Sequence, residues 1–111
     1  MTFIDAIKTC FAKYADFTGR ATRSEYWWFF LFVVLGSIAA GAIADVVHLL
    51  FMLATLLPSL AAAARRLHDT GRSGWLLLIG FIPIVGALVL IYFLVQPGEG
   101  ANRFGEPLAV Q

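Results

Sequence analysis

Three long apolar runs without a formal charge dominate the chain, and short polar segments separate them. The runs cover residues 26–44, 46–64 and 75–95. As helices they would each extend about 28 to 32 Å, which matches the ~30 Å hydrocarbon core of a bilayer. A soluble bundle would need charged residues on its outer face, and these runs contain none. The pattern predicts an all-α integral membrane protein with about three transmembrane helices.

Composition supports this class. Hydrophobic residues make up 60% of the chain and charged residues 14%, against about 45–50% and 25% in soluble domains. A chain of 111 residues suffices for one domain. We therefore predict a single helical membrane domain over residues 1–111, with an interfacial helix, three spans and an irregular tail at 2–16, 23–44, 46–66, 74–96 and 97–111.

The first 16 residues show an amphipathic pattern. Apolar side chains such as Phe3, Ile7 and Phe11 recur on one helical face, whereas Lys8 and Lys13 lie on the other. The pattern predicts a helix lying on an anionic leaflet. A helix packed on a protein surface would have the same periodicity and remains the alternative.

The basic residues predict an orientation. Seven of the eight Lys and Arg lie before the first span or between the second and third, and the Asp45 turn has none. By the positive-inside rule the amino terminus is cytoplasmic. The tryptophans Trp27, Trp28 and Trp75 are predicted at the same interface, where indole rings are commonly found.

Small residues and a proline indicate how the first two spans pack. Gly36 with Ala40, and Ser37 with Gly41, would let the backbones of these spans approach closely. Pro58 removes a backbone donor in the second span and should kink it. We expect Thr55 or Ser59 to satisfy the backbone groups that the proline frees.

The third run has two possible courses. Gly80, Pro83 and Gly86 interrupt it near the middle. It could make one kinked crossing, or a re-entrant hairpin that turns at residues 82–86 and returns the tail to the cytoplasm. Its length alone favours the single crossing.

A dense polar block at residues 65–75 is the strongest candidate for a functional site. Asp69 is spaced to pair with Arg65 or Arg66 on one helix, and Glu25 is a second candidate partner. These residues predict a charged cytoplasmic plate, framed by tryptophans, whose members are Arg20, Arg23, Glu25, Arg65, Arg66, His68, Asp69, Arg72 and Trp75. Such a plate could anchor the helices and contact anionic lipid headgroups, or it could bind a specific partner; both remain open.

Catalytic chemistry finds little support in the residues. His68 and Asp69 would need further ligands to form a metal site, and His48 lies about 30 Å away along a helix. Cys10 has no evident base. We predict no catalytic, metal or cofactor residues and no enzyme, and a net charge of +1 gives no reason to expect nucleic acid.

Two function hypotheses follow. The first is an interaction or regulatory module that binds lipids, a second copy of itself or a partner membrane protein through its arginine-rich cytoplasmic face. The second is a subunit of a small channel or transporter, whose pathway Ser37, Thr55 and Ser59 would line in an oligomer.

Three sequence blocks carry a family resemblance. Residues 17–27, 65–75 and 100–105 resemble the signature blocks of the domain-of-unknown-function family numbered 805, which are small bacterial inner-membrane proteins. The resemblance implies residence in the bacterial inner membrane and brings no established activity. It also adds Asn102 and Arg103 to the candidate plate. If the three blocks act together they face one side, which favours the re-entrant course.

Overall fold

The computed structural model describes residues 2–105, and the part of the predicted tail at 106–111 lies outside the described residues. The chain is all-helical, as predicted. Its elements are α1 (Phe3–Ala12), α2 (Arg23–Ile43), α3 (Asp45–Asp69), a 3₁₀ helix (Gly74–Phe81) and α4 (Val85–Val95). Among the described residues, α2 and α3 are the two helices long and apolar enough to cross a membrane.

Helices α2 and α3 form an antiparallel pair joined by the single residue Ala44. The Thr22 hydroxyl caps α2 by accepting from the Glu25 amide at 3.0 Å, which satisfies one of the free amides in the first turn of the helix. Gly36 faces the Phe51 ring so closely that any Cβ there would overlap it. His48 Nδ1 lies 3.0 Å from the Ser37 carbonyl oxygen. The small residues of α2 therefore meet α3, which confirms the predicted packing.

Pro58 leaves one carbonyl of α3 without a helical partner. In a regular helix the amide of residue 58 would donate to the carbonyl of Ala54, and proline has no amide hydrogen. The Tyr14 hydroxyl donates to this Ala54 carbonyl at 3.1 Å. The Thr55 hydroxyl donates instead to the Phe51 carbonyl at 2.9 Å. The prediction that Thr55 or Ser59 would serve the freed group was wrong, because the donor comes from the segment that follows α1.

This assignment predicts a coupling between Tyr14 and Pro58. Tyr14→Phe should lower the free energy of unfolding by about 0.5 to 2 kcal/mol. In a Pro58→Ala background the restored amide of residue 58 donates to the Ala54 carbonyl. The same Tyr14→Phe change should then lower the free energy of unfolding much less. A double-mutant cycle of unfolding in micelles measures the difference. Tyr92→Phe is the control, since the Tyr92 side chain is 60% exposed; equal costs in both backgrounds would contradict the assignment.

Helix α1 packs on the protein rather than standing apart from it. Ala6 and Cys10 are buried, and the Phe11 ring meets the edge of Phe29 at 5.5 Å between centroids. The helix ends at Ala12, earlier than the predicted residue 16. Part of its apolar face remains outside, with Ile4 56% exposed, so α1 contacts α2 and still presents apolar surface.

The third apolar run is a hairpin, not one helix. Its 3₁₀ arm ends at Phe81 and α4 begins at Val85. Ile84 has φ 64° and ψ −64°, and the Val85 amide donates to the Pro83 carbonyl at 2.6 Å; both are features of a γ-turn, which reverses the chain. A Cβ at Gly86 would overlap the Ile79 carbonyl oxygen, so this glycine lets the arms touch.

Both ends of the hairpin lie at the same end of the molecule. The Arg72 guanidinium, just before the first arm, stands 4.5 Å above the Phe93 ring near the end of the second. Each arm is about 16 Å long, from 8 residues of 3₁₀ helix and 11 of α-helix. Residues 74–96 therefore have the hairpin shape of the second predicted course and not the shape of one kinked helix.

Candidate functional site

The polar block at the end of α3 is buried. Arg65, Arg66 and Asp69 are each 0% exposed. Arg20, just before α2, is 5% exposed, and Glu25, in the first turn of α2, is 3% exposed. We call these five residues the arginine cluster. The sequence predicted that these residues would meet, and they do. The chain folds around the five side chains, so they form a buried cluster and not an exposed surface.

Asp69 is the centre of the arginine cluster. Its Oδ1 accepts from Arg20 Nε at 2.8 Å, and its Oδ2 accepts from Arg66 Nη1 at 2.6 Å. The Arg66 pair follows the predicted helical spacing. The Arg20 pair joins residues that are 49 positions apart, which local spacing could not predict. A buried carboxylate with a guanidinium on each oxygen fixes the position of the segment before α2 against α3.

Glu25 pairs with the remaining arginine, Arg65, as the sequence allowed. Arg65 Nε also donates to the Asp16 carbonyl at 3.2 Å. Cys10 lies against the same pair, with its Sγ 3.9 Å from Glu25 Oε2. Burial, and then the Glu25 carboxylate, raises the pKa of the Cys10 thiol to about 12. This thiol is consequently protonated at neutral pH and is a poor nucleophile.

Two arginines of the cluster hold the returning chain by its backbone carbonyls. Arg20 donates from Nη2 to Glu99 at 2.6 Å, and from Nη1 to Gly100 at 2.9 Å and Gly105 at 3.0 Å. Arg66 donates from Nε to the Leu94 carbonyl at 3.0 Å and from Nη2 to the Gln96 carbonyl. Sequence reasoning missed these acceptors. The tail is rich in Gly and Pro, so its carbonyls cannot pair within a helix. This feature of the sequence could have suggested that side chains bind those carbonyls.

His68 and Asn102 fasten the tail on the neighbouring face. The Asn102 side-chain amide donates to the His68 carbonyl at 3.0 Å. The Phe104 ring stacks on the His68 ring, with centroids 3.9 Å apart and an interplanar angle of 5°. Asn102 and Gly105 form an isolated bridge that closes the turn between them. The signature-like tail thus packs against the polar block.

The other predicted members of the plate lie outside the arginine cluster. Arg23 is exposed, and Trp75 is 79% exposed. Arg72 stacks on Phe93, and the Arg103 guanidinium stands 4.7 Å above the neighbouring Phe104 ring. Among residues 2–105, no group of three or more His, Cys, Asp or Glu side chains could hold a metal ion.

Fold, apolar surface and relatives together define the class of protein. The chain is similar to the inner membrane proteins YhaI and YhaH of Escherichia coli K12. It is 45% identical to YhaI, with 84% of this chain and 86% of YhaI covered, and 36% identical to YhaH, with 84% and 87% covered. It is an integral inner-membrane protein.

The family follows from a match over most of the chain. The model of the family described as protein of unknown function (DUF805) matches residues 14–106, so the chain belongs to that family. It is also 32% identical to the uncharacterized protein YiiR of Escherichia coli K12, over 82% of this chain and 84% of YiiR. No solved structure matches the chain.

Proposed function

We propose that this protein is a non-enzymatic interaction module of the inner membrane that binds a neighbouring protein laterally, through its apolar hairpin. The observation that supports it most is the exposed turn of that hairpin. Phe81 is 84% exposed and Ile84 77%, although the backbone between them is not helical.

The proposed topology places this turn inside the bilayer. α2 and α3 cross the membrane with the amino terminus in the cytoplasm, because the basic residues collect at one end. The hairpin enters from that same cytoplasmic end. Its arms of about 16 Å reach roughly half-way across a ~30 Å hydrocarbon core. The turn at residues 82–84 therefore lies near the midplane.

The backbone of a non-helical turn at that depth must be shielded from the lipid tails. Lipid tails offer no hydrogen-bonding groups, so irregular backbone within the hydrocarbon region persists only where protein or water shields it. The side chains around the turn are apolar, which favours protein over a water-filled channel. A second copy of this chain or a partner membrane protein would supply the shield.

The arginine cluster has a supporting role in this proposal. Its carboxylates and guanidinium groups pair within the chain, and Arg20 and Arg66 bind the backbone on the far side of the hairpin. The bonds from Arg66 hold the end of α4, which is the second arm of the hairpin, and the bond from Arg20 holds the chain that follows it. Together they fix the position of the turn. The exposed side chains of Arg23, of Lys8 in α1 and of Lys13 just after α1 would contact anionic headgroups instead.

Photocrosslinking in native membranes tests the proposal. A photoreactive amino acid at Ile84 should give one discrete protein adduct, whose mass distinguishes a second copy from a different partner. The matched control is Leu53 in the middle of α3, which is 57% exposed and lies on a regular helix; it should give chiefly lipid adducts. Lipid adducts alone at both positions would refute the proposal.

A further inference from the structure

A cavity of about 580 Å³ lies between α3, the 3₁₀ helix and the tail. Leu60, Ala64 and His68 line it from α3, and their four-residue spacing places them along one helical face. Phe17 and Phe104 line it together with the 3₁₀ helix. Its volume falls within the range of about 300 to 1,000 Å³ that is usual for small-molecule sites.

One polar group stands out in this mainly apolar cavity. His68 is only 8% exposed, and its Nδ1 lies 2.8 Å from the Gly19 carbonyl oxygen. Because a carbonyl only accepts, Nδ1 carries the proton, and a neutral ring then offers a lone pair at Nε2. No group within residues 2–105 bonds Nε2. Stacking on Phe104 holds the ring in this orientation.

Gly74 leaves the Nε2 edge of the ring uncovered. A Cβ at that position would lie 3.4 Å from Nε2 and 3.1 Å from the Ala64 Cβ, so a larger residue would crowd the space between them. The glycine and the alanine thus keep room for a ligand atom beside the histidine. Nε2 is accessible from the cavity that His68 lines, so a hydroxyl of the molecule that fills the cavity can donate to it.

The far end of the cavity is lined by exposed leucines. Leu60 lies two helical turns from His68, about 12 Å along α3. Leu60 and Leu78 are 40% and 55% exposed, and both belong to apolar runs. A ligand could therefore enter from the lipid with an apolar chain against these leucines and a polar head at His68.

We propose that this cavity binds a single-chain lipid with a hydroxyl head group, such as a monoacylglycerol, whose hydroxyl donates to His68 Nε2. The apolar walls take the acyl chain, and the fixed tautomer of His68 selects a neutral donor over a carboxylate. No residue of the hairpin turn lines this cavity. The proposal of a lipid site is therefore independent of the proposal that a protein binds the turn.

The test uses the full chain in nanodiscs with a monoacylglycerol that carries a photoreactive group on its acyl chain. Labelling should be saturable and should map to residues around Leu60 and Leu78. His68→Asn keeps a donor for Gly19 but has no group at the Nε2 position, so binding should weaken roughly three- to tenfold. His68→Gln restores a polar group at that position and should bind more tightly than His68→Asn.

A second variant separates binding from folding. Leu78→Trp adds bulk at the exposed mouth of the cavity and should abolish saturable labelling while unfolding stays unchanged. Non-saturable labelling that is equal in the wild type, His68→Asn and Leu78→Trp would overturn the proposal. Saturable capture of a matching fatty-acid probe in preference to the monoacylglycerol would overturn the assigned head group.

Discussion

Asp69→Asn should lower the free energy of unfolding by about 3 to 5 kcal/mol. The carboxylate pairs with Arg20 and with Arg66, and both Arg66 and Asp69 are 0% exposed. The amide keeps the shape of the side chain but removes its charge, which leaves two buried guanidinium groups without a counter-ion. Desolvation makes that arrangement costly. Equilibrium unfolding of the reconstituted protein measures the loss.

A surface carboxylate provides the matched control. Asp5 in the first turn of α1 is exposed, and Asp5→Asn should change stability by no more than about 0.5 kcal/mol. Similar losses for the two variants would mean that Asp69 stabilises the protein only through general charge balance. A small loss for Asp69→Asn would show that water or lipid headgroups reach the arginine cluster.

The two long helices could be predicted because their signals are local. Apolar runs of membrane length lie within the helices that they predict. The small residues around Gly36 likewise follow a helical spacing. Each of these features is contained in one continuous segment, which the sequence displays directly.

The hairpin could not be predicted from the length of its segment. Its 21 uncharged residues match a full crossing at the α-helical rise of about 1.5 Å. One arm is instead a long 3₁₀ helix, and the reversal depends on a left-handed φ at Ile84, a conformation that isoleucine rarely adopts. The expectation that the three family-like sequence blocks lie together indicated that the chain turns back, whereas hydropathy alone favoured a single crossing.

The sequence predicted which residues form the candidate site, but it did not predict that they are buried. The Arg66 pair with Asp69 is local, whereas Arg20 reaches carbonyls 79 to 85 positions away. Arginines beside a membrane span are ordinarily solvated. Here the tail supplies carbonyl acceptors, and the guanidinium groups are buried because those acceptors replace water. The sequence does not show that tail carbonyls replace water around these guanidinium groups, because this depends on the three-dimensional path of the tail.

Arg66→Lys should release the returning arm of the hairpin while the helix pair stays folded. The lysine retains a charge for Asp69, but one ammonium group cannot also serve the separate carbonyls of Leu94 and Gln96. Losing donors to these carbonyls should lower the local stability of the arm by about 1 to 3 kcal/mol. A cysteine introduced by Leu94→Cys, in a Cys10→Ser background, reports the opening because Leu94 is 5% exposed.

The thiol at position 94 should react with a maleimide roughly tenfold faster in the Arg66→Lys protein, since about 1.4 kcal/mol of opening free energy corresponds to a factor of ten. Arg72→Lys is the control, because its cation still stands over Phe93 and should leave the rate within about twofold. If both variants react at the same rate as the parent, the guanidinium group of Arg66 does not hold the arm. In that case the apolar contacts of α4 and the bond from Trp27 Nε1 to the Leu94 carbonyl would hold the hairpin, and the Arg66 side chain would serve only to orient α3 through its pair with Asp69.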